Sequence, residues 1–481
     1  MRIAIIGGGI AGLAAAYELE QARKAGAAVE YTLFEAQERL GGCLASEIVD
    51  GAVLEFGPDS FLTEKPAAAE LCRELGLGAE LTPSNDSHRK TYIVVRNRLV
   101  PLPDGLMFLV PTKLIPTALT RLFSLRTKFR MGLELLLPPC GRDQDESVAA
   151  LVERHFGREV VERLADPLLS GIFGGDSTLA SARAVLPRLV EMENEYGSLT
   201  RGMLAAHRKM RASANATARK NGKPTGASMP RSAFTALRGG MQQLVDALTA
   251  RLDQASVRLS TPVSGIERTD GGWRVEAGDA TKHYDTVILA LPAWAAGALL
   301  GRVDAVLGEE LSAIPYSSSI TVNLIYDESQ LGRLPQGFGF LVPAVEGRTM
   351  LACTFVHRKF LGRTPHGKAV FRAFLGGTKG EGLLAKQDAE LLATVRRELS
   401  EILSEAIFSQ MEEPEHAQVS RWRRSMAQYS VGHQERKQRI AERVAALTGL
   451  RLAGNAYDGI GIPDCIRLGR QAARELLDPS R

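Results

Sequence analysis

Apolar runs that alternate with glycine turns and amphipathic stretches predict an α/β chain. Arg2 to Ile6 is an apolar run typical of a buried parallel strand, and "LAAAYELEQARKAG" from Leu13 predicts the following helix. A second strand is predicted from Val29 to Glu35. Near the other end, a strand "LRLAG" from Leu450 leads through glycines to a helix in which Pro463 suits the first position. Both ends of the chain thus have the order strand, glycine turn, helix.

The first glycine turn, "GGGIAG", matches the pattern G-x-G-x-x-G. Its first glycine permits the tight turn, its second lets the backbone approach a pyrophosphate, and its third permits close packing of helix on strand. The helix directs its amides at that phosphate, and Glu35 ends the second strand where an acid bonds to ribose hydroxyls. An ordinary tight turn is the alternative, but the complete unit predicts a dinucleotide site. Its predicted contacts are Gly7, Gly9, Ile10, Ala11, Gly12 and Glu35.

The middle of the chain carries further strand and helix patterns. Leu237 to Leu252 predicts a glycine turn and an amphipathic helix, and residues 257–277 predict two strands joined by an Asp-Gly-Gly turn. Tyr284 to Ala293 predicts a buried strand ended by proline. From Gly301 to Pro414, strand-like runs alternate with turn signals, which predicts an antiparallel sheet at the floor of a substrate pocket. Such hairpins are also common in α/β proteins of any function.

Two segments carry Lys and Arg but no acidic residue. Gly105 to Leu133 combines cations with Leu, Ile, Phe and Met, which suits a helical segment at a membrane interface. A substrate-domain helix with one face in the core fits equally well. Tyr196 to Val245 holds nine cations, and its polar centre at 211–232 predicts a mobile loop. Together the two segments would attract an anionic substrate or an anionic membrane surface.

The bulk composition narrows the class of protein. The chain has 481 residues, 45% hydrophobic and 24% charged, which is ordinary for a globular protein of two or three domains. The 59 Lys and Arg against 55 Asp and Glu give +4, too small to argue for a nucleic-acid partner. Five scattered cysteines without a C-x-x-C pair argue against a disulfide framework or a zinc site. With no secretory signal and no apolar run near the ~18 residues of a membrane span, we expect a cytoplasmic protein, either soluble or peripheral on a membrane.

Two segments after Glu35 carry a family resemblance. "AQERLGG", Ala36 to Gly42, and "EFGPDSF", Glu55 to Phe61, resemble the flavoprotein family that includes amine oxidases, phytoene desaturases and porphyrinogen oxidases. The resemblance implies FAD as the cofactor, with Arg39 and the paired glycines along its pyrophosphate. A loop with a solvated arginine is the plainer alternative. The contacts implied here are Ala36, Arg39, Gly41, Gly42, Gly57, Pro58, Asp59 and Ser60.

Three further segments narrow the resemblance. "YDGIGIPDCIRLGRQAA" from Tyr457, "LADPLLSGIFGGD" from Leu164 and "GFGFLVPA" from Gly337 are similar to the oxygen-dependent protoporphyrinogen and coproporphyrinogen III oxidases of haem synthesis. The resemblance implies removal of six electrons from a porphyrinogen in three hydride transfers to the flavin, with oxygen as acceptor and peroxide as product. Further FAD contacts are implied at Val263, Ala290, Leu291, Trp422, Gly454, Asn455, Gly461, Ile462, Pro463 and Ile466.

The tetrapyrrole pocket is the least determined part of the site. The resemblance implies Gly171 and Leu341 at this pocket, although a leucine on a strand is equally often a core residue. Some eukaryotic members place an arginine before the strand that here reads "YIVV", where it meets a substrate propionate. This chain has Thr91 there, and the neighbouring Arg89 is a weak substitute. The sequence identifies no general base and does not distinguish protoporphyrinogen from coproporphyrinogen.

The resemblance also implies an interleaved α/β architecture. A Rossmann-like FAD-binding domain would take residues 1–85, 235–300 and 415–481, and an α+β substrate-binding domain would take 86–104 and 301–414. Residues 105–234 would form a mainly helical subdomain that could face a membrane. The implied partners are a porphyrinogen, oxygen and other haem-synthesis enzymes that take over the product, and either a monomer or a homodimer fits.

Two alternative functions stay open. A flavin amine oxidase predicts aromatic residues that cage an amine before the flavin, which "GFGFLVPA" does not plainly supply. A non-catalytic carrier would bind flavin or porphyrin without turnover. The sequence holds no evident Ser-His-Asp, Cys-His or metal-ligand cluster that would suggest another chemistry.

Overall fold

The computed structural model describes residues 1–107, 109–139, 144–220, 232–378, 380–404, 407 and 413–478. One sheet, here called the nucleotide sheet, consists of five parallel strands. The strands predicted at the two ends of the chain are joined by Thr286–Leu289, which pairs with Arg2–Ile6 on one side and Leu450–Leu452 on the other. This parallel sheet confirms the predicted Rossmann-like α/β class. In spatial order its strands are Val257–Arg258, Glu30–Phe34, Arg2–Ile6, Thr286–Leu289 and Leu450–Leu452.

Two helices, Ile10–Lys24 and Ile462–Leu477, pack closely against each other beside the nucleotide sheet. A Cβ built on Gly469 would overlap the carbonyl oxygen of Ala11, so the absence of a side chain permits this approach. Ile466 and Ala473 share the face of Gly469 and are fully buried. The predicted packing of the last helix on the nucleotide domain is therefore confirmed, and the helix begins at Ile462, one residue before Pro463.

A second sheet, here called the substrate sheet, contains the four described strands between Gly301 and Pro414, where the sequence predicted strand-like runs. These strands pair antiparallel with one another, as predicted. The sheet also takes in Thr91–Val95 from outside this range, which pairs in parallel with Gly339–Leu341. All other strand pairs in it are antiparallel. In spatial order its strands are His416–Ala427, Tyr316–Asp327, Lys368–Gly376, Met350–Phe355, Gly339–Leu341, Thr91–Val95 and Arg98–Pro101.

The edge of the substrate sheet bears on the division into domains. Strand His416–Ala427 pairs with Tyr316–Asp327, so it belongs to the substrate sheet although the sequence placed residues 415–481 with the nucleotide domain. We therefore propose that the last boundary lies after Ala427, and the other boundaries stay predictions. Helix Asp388–Leu403 was not predicted; it buries Leu391, Val395 and Leu399 in the core of the substrate sheet.

The described residues between 105 and 220 form a largely helical subdomain with its own apolar core. A two-stranded hairpin, Leu106–Met107 with Val110–Pro111, precedes its first helix. Its helices are Leu114–Leu119, Leu125–Leu133, Val148–Phe156, Arg158–Val160, Asp166–Phe173, Ala182–Val185, Pro187–Tyr196 and Leu199–Lys220, and a π turn spans Val161–Ala165.

The mobile loop predicted at 211–232 is wrong for residues 211–220, which continue the helix from Leu199 to Lys220. Four alanines with Arg and Lys in this stretch favour a helix, and their propensity outweighs its polar composition. Residues 221–231 lie outside the described residues. Over the described residues, no helix is both long and apolar enough to cross a bilayer.

The remaining elements are short. The predicted hairpin, Val263–Thr269 with Gly272–Ala277, gains a third strand at Ala280–Tyr284. The other small sheets are Ser46–Val49 with Ala52–Glu55, and Phe61–Leu62, Phe234–Leu237 and Leu81–Pro83. The other helices are Ala67–Glu74, Gln242–Thr249, Ala293–Leu300, Ala305–Ser312, Val356–Lys359 and His433–Ala446.

Candidate active site

The first glycine turn forms a cradle at the carboxyl end of the nucleotide sheet. Gly7 has a φ of +106°, a left-handed conformation that favours glycine. A Cβ on Gly12 would overlap the Gly7 carbonyl oxygen, whereas a Cβ on Gly9 would meet no atom within 4 Å. Because Gly9 faces open space, no contact among the described residues requires a glycine at this position. A ligand that approaches the backbone closely would explain its place in the turn.

The paired glycines that follow Arg39 lie against this cradle. The Gly41 amide donates to the Gly8 carbonyl oxygen at 2.8 Å, and a Cβ on Gly42 would lie 3.3 Å from the Gly9 Cα. The Arg39 guanidinium donates to the carbonyl oxygens of Leu40 at 2.9 Å and Leu44 at 3.1 Å, and also to that of Gly42. Arg39 therefore braces the loop that closes the cradle.

Glu35 lies beside the cradle, as the ribose assignment requires. Its carboxylate accepts hydrogen bonds from the Gly8 amide at 2.7 Å and the Gln37 amide at 2.8 Å. The Thr261 amide donates to the Glu35 carbonyl oxygen at 2.8 Å, which brings the strand that begins at Val263 to the same edge. Ala36, the next predicted contact, is exposed.

A second row of predicted contacts extends from Gly7. A Cβ on Gly7 would lie 2.5 Å from the Ala290 carbonyl oxygen and 3.1 Å from the Leu291 side chain. Gly454 has a φ of +135°, and a Cβ there would lie 3.4 Å from the Leu291 carbonyl oxygen. Asn455 follows it and donates from Nδ2 to the Ser425 carbonyl oxygen at 2.8 Å. The row therefore joins the nucleotide sheet to the edge strand of the substrate sheet.

The loop at Phe56 and Gly57 continues the site toward the substrate sheet. A Cβ on Gly57 would overlap the carbonyl oxygen of Cys43, the residue after the paired glycines. Trp422 Nε1 donates to the Phe56 carbonyl oxygen at 2.7 Å. The candidate site therefore extends from the glycine turn with open space at Gly9 to Trp422 beside Gly57. A site of this form fits an extended dinucleotide such as FAD.

A buried group of charges supports this loop, and the sequence did not predict it. We call it the charge cluster; its members are Glu55, Asp59, Lys359, Arg363 and Arg372. The Arg363 guanidinium is fully buried, pairs with Glu55 and donates to the Asp59 carbonyl oxygen at 3.2 Å. Arg372 donates to the Gly57 carbonyl oxygen. The cluster thereby fixes the backbone on both sides of the predicted flavin contact Pro58, which is exposed.

Asp59 was predicted as a cofactor contact, but its carboxylate is occupied within the charge cluster. It accepts from Lys359 Nζ at 2.9 Å and from Ser60 Oγ at 2.6 Å, and it lies 3.5 Å from Arg372. Burial alone would raise the pKa of this carboxyl, but Lys359 and Arg372 outweigh burial and hold the pKa below its ordinary range. Asp59 therefore stays ionised, and its carboxylate lies beside Arg372, which bonds to the Gly57 carbonyl oxygen.

The start of the last helix also has an ionic contact that the sequence did not predict. The Asp464 carboxylate accepts from the Gly461 amide at 3.2 Å and from Lys65 Nζ at 2.7 Å. Ile462 and Pro463 are buried. The carboxylate stabilises the amino end of the helix in two ways. It accepts a hydrogen bond from a free amide, and its negative charge is attracted to the positive end of the helix dipole.

Two of the three predicted substrate residues come together. A Cβ on Gly171 would lie 2.8 Å from Leu341 Cδ2, so a helix of the helical subdomain meets the substrate sheet here. Gly174, at the end of that helix, lies near Ser317 and Met426. Arg89 is exposed, and no described contact joins it to either residue. The substrate role of all three stays a prediction.

Comparisons with known proteins agree along the whole chain. The family model described as flavin containing amine oxidoreductase matches residues 10–477. A coproporphyrinogen III oxidase of Bacillus subtilis is 33% identical, covering 99% of this chain and 97% of that protein. A protoporphyrinogen oxidase of Bos taurus is 32% identical, covering 99% and 98%. The crystal structure of an Exiguobacterium protein, provisionally named a protoporphyrinogen oxidase, is 32% identical with a TM-score of 0.84, covering 99% and 98%.

Proposed function

We propose that this chain, which belongs to the flavin-containing amine oxidoreductase family, oxidises a porphyrinogen to the porphyrin with FAD as cofactor and oxygen as acceptor. The observation that carries the proposal is the full-length similarity to two porphyrinogen oxidases, at 33% and 32% identity. The positions of the predicted FAD contacts from Gly9 to Trp422 support it. These residues come from distant parts of the chain, and the fold brings them next to one another.

Bound FAD would supply the redox chemistry, as acceptor of a hydride from a bridge carbon of the macrocycle and donor of electrons to oxygen. The chain would supply binding and orientation. Gly9 and Gly42 would admit the pyrophosphate, and Glu35 would accept hydrogen bonds from the ribose hydroxyls. Trp422 and the charge cluster would hold the loop at Gly57 against the flavin end. The contact of Gly171 with Leu341 would form a wall of the tetrapyrrole pocket.

The substrate is one of two porphyrinogens, and parallel turnover assays distinguish them. Holoenzyme is mixed in air with protoporphyrinogen IX or coproporphyrinogen III, and porphyrin fluorescence is recorded together with oxygen uptake. We expect fluorescence and oxygen uptake to rise together with at least one porphyrinogen. Peroxide formation with amines but not with either porphyrinogen would favour an amine oxidase, and binding without turnover would favour a carrier.

The helical subdomain supports a second part of the proposal, contact with an anionic membrane. Its surface carries exposed apolar side chains, here called the interfacial patch: Ile115, Leu119, Leu125, Phe129, Leu133 and Leu136. Arg121, Arg126 and Arg130 lie among them and are also exposed. Exposed apolar groups beside cations suit the boundary between acyl chains and anionic headgroups. The sequence pattern alone fitted a core-facing helix equally well, and the exposure of Leu125 and Phe129, at 83% and 71%, favours the membrane.

A further inference from the structure

The edge strand of the substrate sheet bulges immediately after Trp422. Ser319 pairs with Trp422 and Ser317 pairs with Met426, so Ser318 alone faces residues 423–425. Arg424, at the centre of this bulge, has a φ of +43°, a left-handed conformation that is unfavourable for a side chain of this kind. Its amide donates to Ser318 Oγ at 3.0 Å, which holds the bulge in place. Bulges and strained residues of this kind concentrate where a side chain must be aimed at a ligand.

The Arg424 side chain is presented on the surface. It is exposed, and its guanidinium carbon lies 4.5 Å from the centre of the Trp294 ring. Trp294 Nε1 donates to the Arg424 carbonyl oxygen at 3.2 Å, which fixes the ring beside the bulge. Within the described part of the chain Arg424 has no ion pair, whereas Arg421 on the same strand pairs with Asp388 at 2.6 Å. Arg424 is therefore a cation with a fixed orientation and no anionic partner among the described residues.

The bulge lies between the two halves of the candidate site. On one side, Trp422 contacts the loop at Gly57, and the Ser425 carbonyl oxygen accepts from Asn455. On the other side, a Cβ on Gly174 would lie 3.7 Å from Met426 Sδ, and Gly174 follows Gly171 by three residues. Arg424 is thus placed at the junction of the predicted flavin contacts and the predicted substrate wall, while the pyrophosphate cradle begins at the opposite end of the site.

We propose that Arg424 binds a carboxylate of the porphyrinogen and so positions the macrocycle at the flavin end of the site. The inference rests on the proposed function, since it names a residue that recognises that substrate. A guanidinium suits this role because it pairs with a carboxylate through two parallel hydrogen bonds, and the Trp294 ring restricts its orientation. Thr91, the position before "YIVV", lies on the sixth of the seven strands of the substrate sheet and Arg424 on the first, so Arg424 would bind its carboxylate at the other end of this sheet.

The test compares Arg424→Gln with Arg423→Gln, a neighbouring exposed arginine that bonds only to the Leu384 carbonyl oxygen among described partners. Arg424→Gly is a second variant, because glycine removes the guanidinium while accepting the left-handed backbone. For each holoenzyme, kcat and KM are measured for the porphyrinogen, together with flavin content. Binding of the porphyrin free acid and of its methyl ester is measured by fluorescence titration.

We expect both Arg424 variants to raise KM about tenfold, the size of a lost charge-assisted hydrogen bond, with kcat and flavin content nearly unchanged. Native protein and Arg423→Gln should bind the free acid more tightly than the ester, and both Arg424 variants should lose that preference. An unchanged KM and an unchanged preference in both variants would overturn the proposal. Loss of flavin in both would also overturn it, since Arg424 would then hold the cofactor. A native protein that binds porphyrin but does not turn over porphyrinogen would refute the oxidase assignment, and the titration would still decide the role of Arg424.

Discussion

Gly12 lies so close to Gly7 that a Cβ on Gly12 would overlap the Gly7 carbonyl oxygen, whereas Gly9 between them faces open space. The three glycines of this motif are therefore subject to different structural constraints. Gly7 and Gly12 are required by the turn and by helix packing, so their replacement would damage the fold as well as the site. Gly9 separates the two effects, because a side chain there meets no atom of the chain within 4 Å.

Gly9→Ala is expected to fold normally and to lose FAD. The added methyl would occupy the place where the backbone approaches the pyrophosphate, while the free energy of unfolding of the apoprotein should change little. The measurements are the flavin-to-protein ratio after gel filtration and the urea midpoint of the apoprotein. Gly271→Ala is the matched control, since Gly271 is also free of neighbours within 4 Å. Normal flavin content in Gly9→Ala would contradict the assignment of the cradle.

Arg363→Met is expected to destabilise the fold by about 3–5 kcal/mol, because it leaves the buried Glu55 carboxylate without its cation. Urea unfolding gives the free energy of unfolding. The double variant Arg363→Met with Glu55→Gln should recover part of the loss, since the uncompensated charge is then absent. Glutamine can still accept the hydrogen bond that the Met241 amide donates to Glu55 at 2.9 Å. Additive losses in the double variant would show that the pair is not coupled.

The helical subdomain has a buried histidine between two carboxylates. His155 Nδ1 lies 3.1 Å from Glu134 and Nε2 lies 3.1 Å from Glu193. Burial alone would lower the pKa of His155, but hydrogen bonds to the two carboxylates outweigh it and raise the pKa. Burial would raise the pKa values of Glu134 and Glu193, and their hydrogen bonds to His155 lead the contributions that lower them. Each of the three shifts therefore favours the charged form of its group.

These shifts determine how the stability of the protein depends on pH. Because the folded pKa of His155 is raised above 6.5, its contribution to stability is complete below that pH and is lost as pH rises through the folded pKa. The contributions of Glu134 and Glu193 are complete above pH 4.5 and are lost as pH falls through their lowered pKa values. Urea midpoints from about pH 5 to about pH 9 should fall on the alkaline side, and His155→Gln should flatten that fall. The control substitution His366→Gln, at an exposed histidine, should leave the alkaline fall unchanged.

Leu125→Glu and Phe129→Glu are expected to abolish binding to vesicles that contain anionic phospholipid. Each change places a negative charge among the exposed apolar side chains of the interfacial patch. Flotation with phosphatidylglycerol and phosphatidylcholine vesicles measures the bound fraction, and raised salt should weaken native binding. Leu361→Glu is the control, because Leu361 is 62% exposed and lies outside the patch. Native protein that stays unbound would contradict the membrane proposal without touching the enzymatic one.

The sequence predicted the nucleotide-binding half of the fold well, because its signals are local. Gly7, Gly12 and Glu35 have a fixed spacing within one strand–helix–strand unit, and each strand of that unit is a short apolar run. The same holds for the last helix, where Gly469 packs against Ala11 as its small-residue face predicts.

The parts that were missed depend on residues far apart in the chain. Glu55 and Asp59 meet Lys359, Arg363 and Arg372 only after the substrate sheet forms, and no local pattern marks those cations. The bulge at Arg424 depends on the register between two strands, which binary patterning does not report. Arg89 was selected for its place beside Thr91 in the sequence, and the fold leaves it exposed, with no described contact to Gly171 or Leu341.

The most direct test of the proposed oxidation is anaerobic mixing of the FAD-loaded protein with a porphyrinogen. Flavin absorbance and porphyrin fluorescence are recorded together, with protoporphyrinogen IX and coproporphyrinogen III in separate mixings. We expect at least one of them to bleach the flavin while porphyrin appears, and admission of oxygen to restore the flavin absorbance. A flavin that stays oxidised with both porphyrinogens would refute porphyrinogen oxidation as the function of this protein.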